Sequence, residues 1–389
     1  MKKTARFMND SSNHKSWESI WSYCQLDYRS WPSTVIPDHQ KIKVKMNHDT
    51  QEIRLRFSNE YGRQPLRFEQ VTINVNGKLA KVTVNQSTEI DILPGANLIS
   101  DPVQVTMSVG DVLIIDTYTM ESVELTGGIV TYSKLITQVT NYQLEEQIEQ
   151  KDLFRMVAEN NRMQYIYGIS EIQIPQSKGN SSIVFFGDSL VQQGYIVDGL
   201  KLRVLERNYP NLAVLNAGIG GSRVLKGTDR NFDDYQRHGT SGLERFEKDI
   251  YSRGQVDSVI VLHGINDLIT LEKGSEKVTI YQLIQGLGQY AEIAHSHGSL
   301  CYIGTLMPFG ESIFYEDKLE EYRQEVNNWI RNNNYYDGYF DFDLAVASKQ
   351  HPSRLNSECD NGDGLHLSEE GGRVVAETIS IPQLQKKMI

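Results

Sequence analysis

With 389 residues, 39% of them hydrophobic and 23% charged, the chain is long enough for two domains with sizeable cores and too apolar to be disordered. Its 39 Lys and Arg against 50 Asp and Glu leave a formal charge of −11, which argues against nucleic acid or an anionic membrane as the main partner, because both would be repelled. Cys24, Cys301 and Cys359 are few, odd in number and far apart, which excludes a disulfide scaffold and a close-paired zinc site.

The opening MKKTARFMNDSSNHKSWESIW places no apolar core behind its paired lysines and does not read as a signal peptide. No apolar run approaches the roughly 20 residues that span a bilayer. A reducing, cytoplasmic setting is therefore expected; a mature form stripped of a leader would read the same. From about residue 40 to 140, short runs alternate apolar and polar residues: KIKVKM, EIRLRFSN, VTINVNG, KVTVN, VQVTMSV, DVLIIDTY and GIVTYS. Period-two runs broken by Asn-Gly and Pro-Gly turn signals predict antiparallel strands with one buried face, hence a β-sandwich of jelly-roll type. Trp17, Trp21 and Trp31 lie ahead of these runs, in the first 31 residues, either packing a sandwich edge or offering a sugar platform, and packing is the preferred reading. The amphipathic stretch YQLEEQIEQKDLFRMV and the polar connector QSKGN follow, placing the domain boundary near Lys178: residues 1–178 before it, 179–389 after it.

At Ser181 the rhythm changes. SSIVFFG is a short continuous apolar run, as expected of a parallel strand covered on both faces. Helix and strand then alternate: VDGLKLRVLERNY, LAVLN, GLERFEKDIYSR, VDSVIVL, YQLIQGLGQYAEIAHSHG, LCYIGTL, KLEEYRQEVNNWIRNN, YFDF, and a last helix after His366. This alternation predicts a parallel sheet between helices, with reactive groups beyond the carboxyl ends of the strands.

Four polar blocks fall at such ends. Gly187-Asp188-Ser189-Leu190 follows SSIVFF; Ser189 there is an exposed hydroxyl at a strand-to-helix turn, or an Asp-Ser helix cap, and on the block alone capping comes first. Asn216-Ala217-Gly218-Ile219-Gly220-Gly221 lets backbone N–H groups approach a developing oxyanion, or is a tight loop; as a phosphate cradle it lacks the Lys-Ser/Thr ending. His263-Gly264-Ile265-Asn266-Asp267 offers the Asn266 amide as a neutral donor, or is a turn in which Asn and Asp bond their own backbone. His263 itself is a candidate substrate contact or a packing residue. In the block from Asp360 to His366, Asp363 can accept the imidazole Nδ1–H of His366 and leave Nε2 for the serine, or cap the last helix. Asp360 competes as the carboxylate and is read as a loop residue.

Taken together and in order, the four blocks resemble the SGNH (GDSL) hydrolase superfamily over the C-terminal half. Further stretches are similar to a branch with an N-terminal β-domain, described as secreted GDSL esterases: Trp17 and Trp21, RLRFSNEYGRQPL, LPGANLISDPV, NAGIGGSRVL, GLERFEKDI and GINDL. The chain departs from that branch in lacking an evident leader, in His263 where an acidic residue is usual, and in Ser222 where Asn is usual. The resemblance implies a flavodoxin-like three-layer α/β/α domain. It implies Ser189 as nucleophile, Asp363 and His366 as its partners, and an oxyanion hole from Ser189, Gly221 and Asn266. No metal or cofactor is implied, and none of the nine histidines forms a ligand-spaced cluster. Asp188, Arg223, His263, Phe314 and Tyr315 are candidate substrate contacts, the loops 222–242 and 308–317 being the expected walls. The implied activity is hydrolysis of short-chain acyl esters, acetyl above all, on a small molecule or oligosaccharide. A lysophospholipase or thioesterase is the alternative among enzymes, and a non-catalytic carbohydrate-binding protein the alternative outside them.

Overall fold

The computed structural model describes residues 15–35, 38–119, 121–141, 163–207, 209–227, 237–271 and 278–384. The amphipathic stretch read at 142–157 and the middle of the loop read at 222–242 lie outside the described residues.

The alternating runs fold as antiparallel sheets. One joins Trp17–Ser22, Gly168–Pro175, Thr50–Ser58 and Asn97–Ile99, with Val103–Met107 also paired to Thr50–Ser58. Another joins Ile136–Asn141, Asp38–Lys45, Val112–Thr119, Gln70–Val75 and Lys78–Val82. Alternation decides which side chains go inward. Ile53, Leu55 and Phe57 from the first sheet, and Ile42, Leu113, Ile115 and Ile73 from the second, are buried. Asn76 and Gly77 both take left-handed backbone, φ 52° and 81°, as a two-residue hairpin between twisted strands requires.

The second half is a five-stranded parallel sheet in the order Leu212–Gly218, Ser181–Gly187, Ser258–Leu262, Leu300–Gly304, Gly338–Phe340. Its apolar strands are covered on both faces, Ile183, Phe185 and Phe186 reaching zero exposure. Helices Tyr195–Glu206 and Glu369–Glu377 pack on one another through Gly199, where an added Cβ would lie 2.8 Å from the Ala376 Cβ. Helices Gly242–Tyr251, Ile280–Ser296 and Asp317–Asn332 form the other helical group. This is the flavodoxin-like three-layer arrangement. The chain leaves strand Ser181–Gly187 on one side to form Leu212–Gly218 and returns on the other as Ser258–Leu262. The crevice beyond Gly187 is thus the switch point at which such sheets place their ligands.

Candidate active site

Strand Ser181–Gly187 delivers the serine. Gly187 meets its neighbour so closely that an added Cβ would lie 1.9 Å from the Leu262 carbonyl oxygen. Asp188 then caps the short helix Ser189–Gln192, its Oδ1 accepting the Leu190 N–H at 3.1 Å. The aspartate therefore supplies the cap, and the half-buried Ser189 keeps its hydroxyl for a partner outside the helix. His366 Nε2 stands 2.8 Å from Ser189 Oγ, and its Nδ1 stands 2.7 Å from Asp363 Oδ2.

The imidazole and carboxylate are held by a loop that satisfies its own backbone. Asp360 Oδ1 accepts the N–H groups of Gly362 and Gly364 at 2.9 and 3.1 Å, so this carboxylate serves the turn. Asp363 Oδ1 accepts the N–H groups of Leu365 and His366 at 2.9 and 2.8 Å, leaving Oδ2 for the ring. Burial raises the Asp363 carboxyl, but the bonds from the His366 ring and from the two N–H groups outweigh it and hold the group at about 2. Ser368 Oγ caps the following helix at Gly371 N–H, fixing the segment immediately after the histidine.

The glycine-rich block lies beside the serine, an added Cβ on Gly220 falling 3.7 Å from Ser189 Cβ. Asn216 ties the block to the nucleophile helix: its Nδ2 donates to the Val191 carbonyl at 2.7 Å and its Oδ1 accepts the Gly218 N–H at 2.9 Å. Among the described residues no acceptor receives the Gly221 N–H. Asn266 opens the short helix Ile265–Thr270, its Nδ2 donating to the Ser222 carbonyl at 3.1 Å with a second hydrogen to give. Asp267 is buried and accepts the N–H groups of Val224 and Leu225, which stitches loop 222–225 to the third block; burial lifts its carboxyl to about 6 against these bonds.

Two candidate substrate contacts are corrected. Asp188 has no exposed surface. His263 is 1% exposed, bonded through Nδ1 to the Tyr290 hydroxyl at 2.9 Å and packed edge-on to Phe186. A histidine ending a strand that is covered on both faces points into the helical layer, and burial pushes its ring down to about 3. Arg223 turns onto its own loop, donating to the Gly227 carbonyl. Tyr315 stands edge-on to Phe309, while Phe314 is 41% and its neighbour Ile313 is 91% exposed. The backbone at Glu311–Ser312 rests on Gly364, which puts these two side chains at the rim beside the Asp363–His366 loop.

Sequence reading passed over several residues that build the site. Arg245 is buried, stacked 4.1 Å over Phe186, and donates to the carbonyls of Gly187 and Ala217 at 2.6 and 3.0 Å and to the Ser222 hydroxyl. It clamps the ends of two strands, and the one visible signal was a charge beside Phe246 on the apolar face of GLERFEKDI. Gln192 and His238, both against Gly220, carried no local signal.

Residues 185–374 match the model of the GDSL-like lipase/acylhydrolase family. A GDSL-like lipase from Bacteroides thetaiotaomicron is 15% identical over 52% of this chain and 87% of its own, with a TM-score of 0.37. An acetylxylan esterase from Geobacillus stearothermophilus is 16% identical over 54% and 98%, with a TM-score of 0.39. Among curated proteins none matches the chain. Strand ends from Gly187 to His366 all lie within the matched residues, and residues 185–374 form a GDSL-like lipase/acylhydrolase domain.

Proposed function

We propose that the chain is a serine ester hydrolase acting on short-chain acyl esters, acetyl esters of carbohydrates foremost, through an acyl-enzyme. One observation carries this reading: a hydroxyl, an imidazole and a carboxylate stand in line, with 2.8 Å from Ser189 Oγ to His366 Nε2 and 2.7 Å from Nδ1 to Asp363 Oδ2. The carboxylate accepts the Nδ1–H, so Nε2 presents its lone pair to the hydroxyl. Ser189 Oγ attacks the ester carbonyl carbon as its proton passes to Nε2, and the carbonyl oxygen takes up the negative charge. The N–H groups of Ser189 and Gly221 and the free hydrogen of the Asn266 amide would receive that charge, each such donor being worth about 2.7–4 kcal/mol of barrier. His366 returns the proton to the departing alcohol. Water then enters, loses a proton to Nε2, attacks the acyl carbon and frees Ser189.

A second reading rests on Ile313 and Phe314, exposed at the rim, which would suit the longer acyl chain of a lysophospholipid or thioester. Rates on p-nitrophenyl esters from acetate to decanoate, run with acetylated sugars, separate the two. Highest kcat/KM on acetate supports the first, and a steep rise with chain length replaces it by the second. In both, Ser189→Ala abolishes turnover and labelling by a fluorophosphonate probe. Labelling that survives this substitution overturns the serine mechanism, and well-folded protein that neither turns over nor labels leaves a carbohydrate-binding role on a hydrolase fold.

A further inference from the structure

Resting on that reading, we infer that His238 and Gln192 are positioning residues, His238 holding the Gly220–Gly221 peptide with its N–H toward Ser189 and Gln192 fixing the Ile219–Gly220 peptide before it, and that the N-terminal sheets hold this clamp. His238 Nδ1 lies against the Gly220 carbonyl oxygen. A carbonyl only accepts, so Nδ1 carries the hydrogen and donates it. In a planar trans peptide the C=O of Gly220 and the N–H of Gly221 point in opposite directions, and the described residues contain no cis bond. Holding the oxygen on the His238 side therefore turns the Gly221 N–H away from His238, in a loop whose Gly220 stands beside Ser189, an added Cβ there falling 3.7 Å from the serine Cβ. Glycine at both positions leaves the peptide free to rotate unless something holds it, and a flipped peptide would aim a carbonyl at the oxyanion.

The second half of the clamp is Gln192, on the nucleophile helix itself. Its Oε1 accepts the Gly220 N–H, which fixes the Ile219–Gly220 peptide ahead of the one His238 holds, and its Nε2 donates to the Val130 carbonyl at 3.0 Å. Val130 belongs to strand Gly127–Thr131 of the N-terminal sheets, whose continuation also donates to the Gln193 carbonyl from Tyr132 N–H at 2.8 Å and Thr131 Oγ1 at 3.0 Å. His238 is anchored from the same side, because the guanidinium of its neighbour Arg237 stacks 4.7 Å over Trp31. Gly221 has φ +73°, and an added Cβ would lie 2.0 Å from His238 Nδ1, so the imidazole occupies the space a side chain would need. Burial keeps the ring neutral by pulling it down to about 4, so its single N–H stays on the carbonyl at working pH.

The test compares His238→Ala, His238→Asn and Gln192→Met with wild type and Ser189→Ala on p-nitrophenyl acetate. Asn carries an amide N–H at the reach of Nδ1. Expected are a fall in kcat of about 10- to 100-fold for His238→Ala and Gln192→Met, KM within about twofold, and recovery of most of the rate in His238→Asn. Affinity for a short alkyl boronic acid, whose serine adduct carries the oxyanion, falls by a similar factor. Wild-type kcat in both His238→Ala and Gln192→Met overturns the clamp while leaving the serine mechanism intact. So does a loss seen in KM that His238→Asn fails to rescue. Hydrolysis surviving in Ser189→Ala overturns the underlying reading instead.

Discussion

Asp188 has one oxygen on the Leu190 N–H and the other without a partner among the described residues. Burial raises its carboxyl to about 7 from 3.8; the Leu190 N–H, His366 and Arg245 pull it back, and Asp267 adds to the rise. The folded protein thus keeps a proton that the unfolded chain loses near pH 4. Stability from this group is complete below about pH 4 and is lost as the pH climbs through about 7. Asp363, with its folded value lowered to about 2, runs the other way: its contribution is present above pH 4 and is lost as the pH falls through 2. Asp188→Asn keeps the acceptor for Leu190 N–H and removes the charge. Urea unfolding should find it more stable than wild type at pH 8, by at most roughly 4–5 kcal/mol at about 1.4 kcal/mol per unit, with the gain fading toward pH 4. A difference independent of pH would show that the buried charge is not its cause. Residues of this kind were half legible in the sequence. The motif marked Asp188 as belonging to the site and offered it as a cap, but only its burial removes it from the substrate contacts.

At the scale of elements, the four blocks were legible because each ends a strand with a distinct signature: a continuous apolar run, then glycine with a polar residue. The connections between blocks were not. Arg245, Gln192 and His238 act across distances set by folding, and a single glutamine after the nucleophile looks like any surface residue until its two ends are seen bonded to Gly220 and Val130. The glycines divide in the same way. Gly77 and Gly221 share left-handed backbone, φ 81° and 73°, but space is open around the first and filled by His238 at the second. Gly77→Ala and Gly221→Ala should therefore both cost on the order of 1–2 kcal/mol of backbone strain. Only Gly221→Ala should also displace the imidazole and lower kcat, by about 10-fold or more, on p-nitrophenyl acetate. Equal loss of activity in the two variants would trace the effect to strain alone.

At the scale of the molecule, strand Trp17–Ser22 pairs with Gly168–Pro175 in the N-terminal sheet and packs against edge strand Leu212–Gly218 of the parallel one. The Asn47 Nδ2 donates to the Leu212 carbonyl at 3.0 Å, and Arg253 reaches the Tyr23 carbonyl at 3.1 Å. The deepest tie is Asp198, in the first turn of helix Tyr195–Glu206. Its buried carboxylate accepts Ser133 Oγ at 2.7 Å and the N–H groups of Lys134 and Leu135 at 2.6 and 3.4 Å. The change of rhythm at Ser181 announced two kinds of sheet but could not announce this bond, whose partners lie 65 residues apart. Asp198→Ala would strand the buried Ser133 hydroxyl, at roughly 1–3 kcal/mol, together with the part-buried N–H groups of Lys134 and Leu135, and loosen the sheet that carries Val130 from the helices that carry the serine. Tryptophan fluorescence reports mainly the N-terminal sheets, through Trp17, Trp21 and Trp31, whereas hydrolysis reports the cleft. In guanidinium chloride the wild type should lose both signals together. In Asp198→Ala the midpoint should fall, and hydrolysis should fail at lower denaturant than fluorescence, because the clamp on Gly220–Gly221 releases before the sheets unfold. Coincident loss of both signals in the variant would mean that Asp198 supports overall stability without transmitting order to the site.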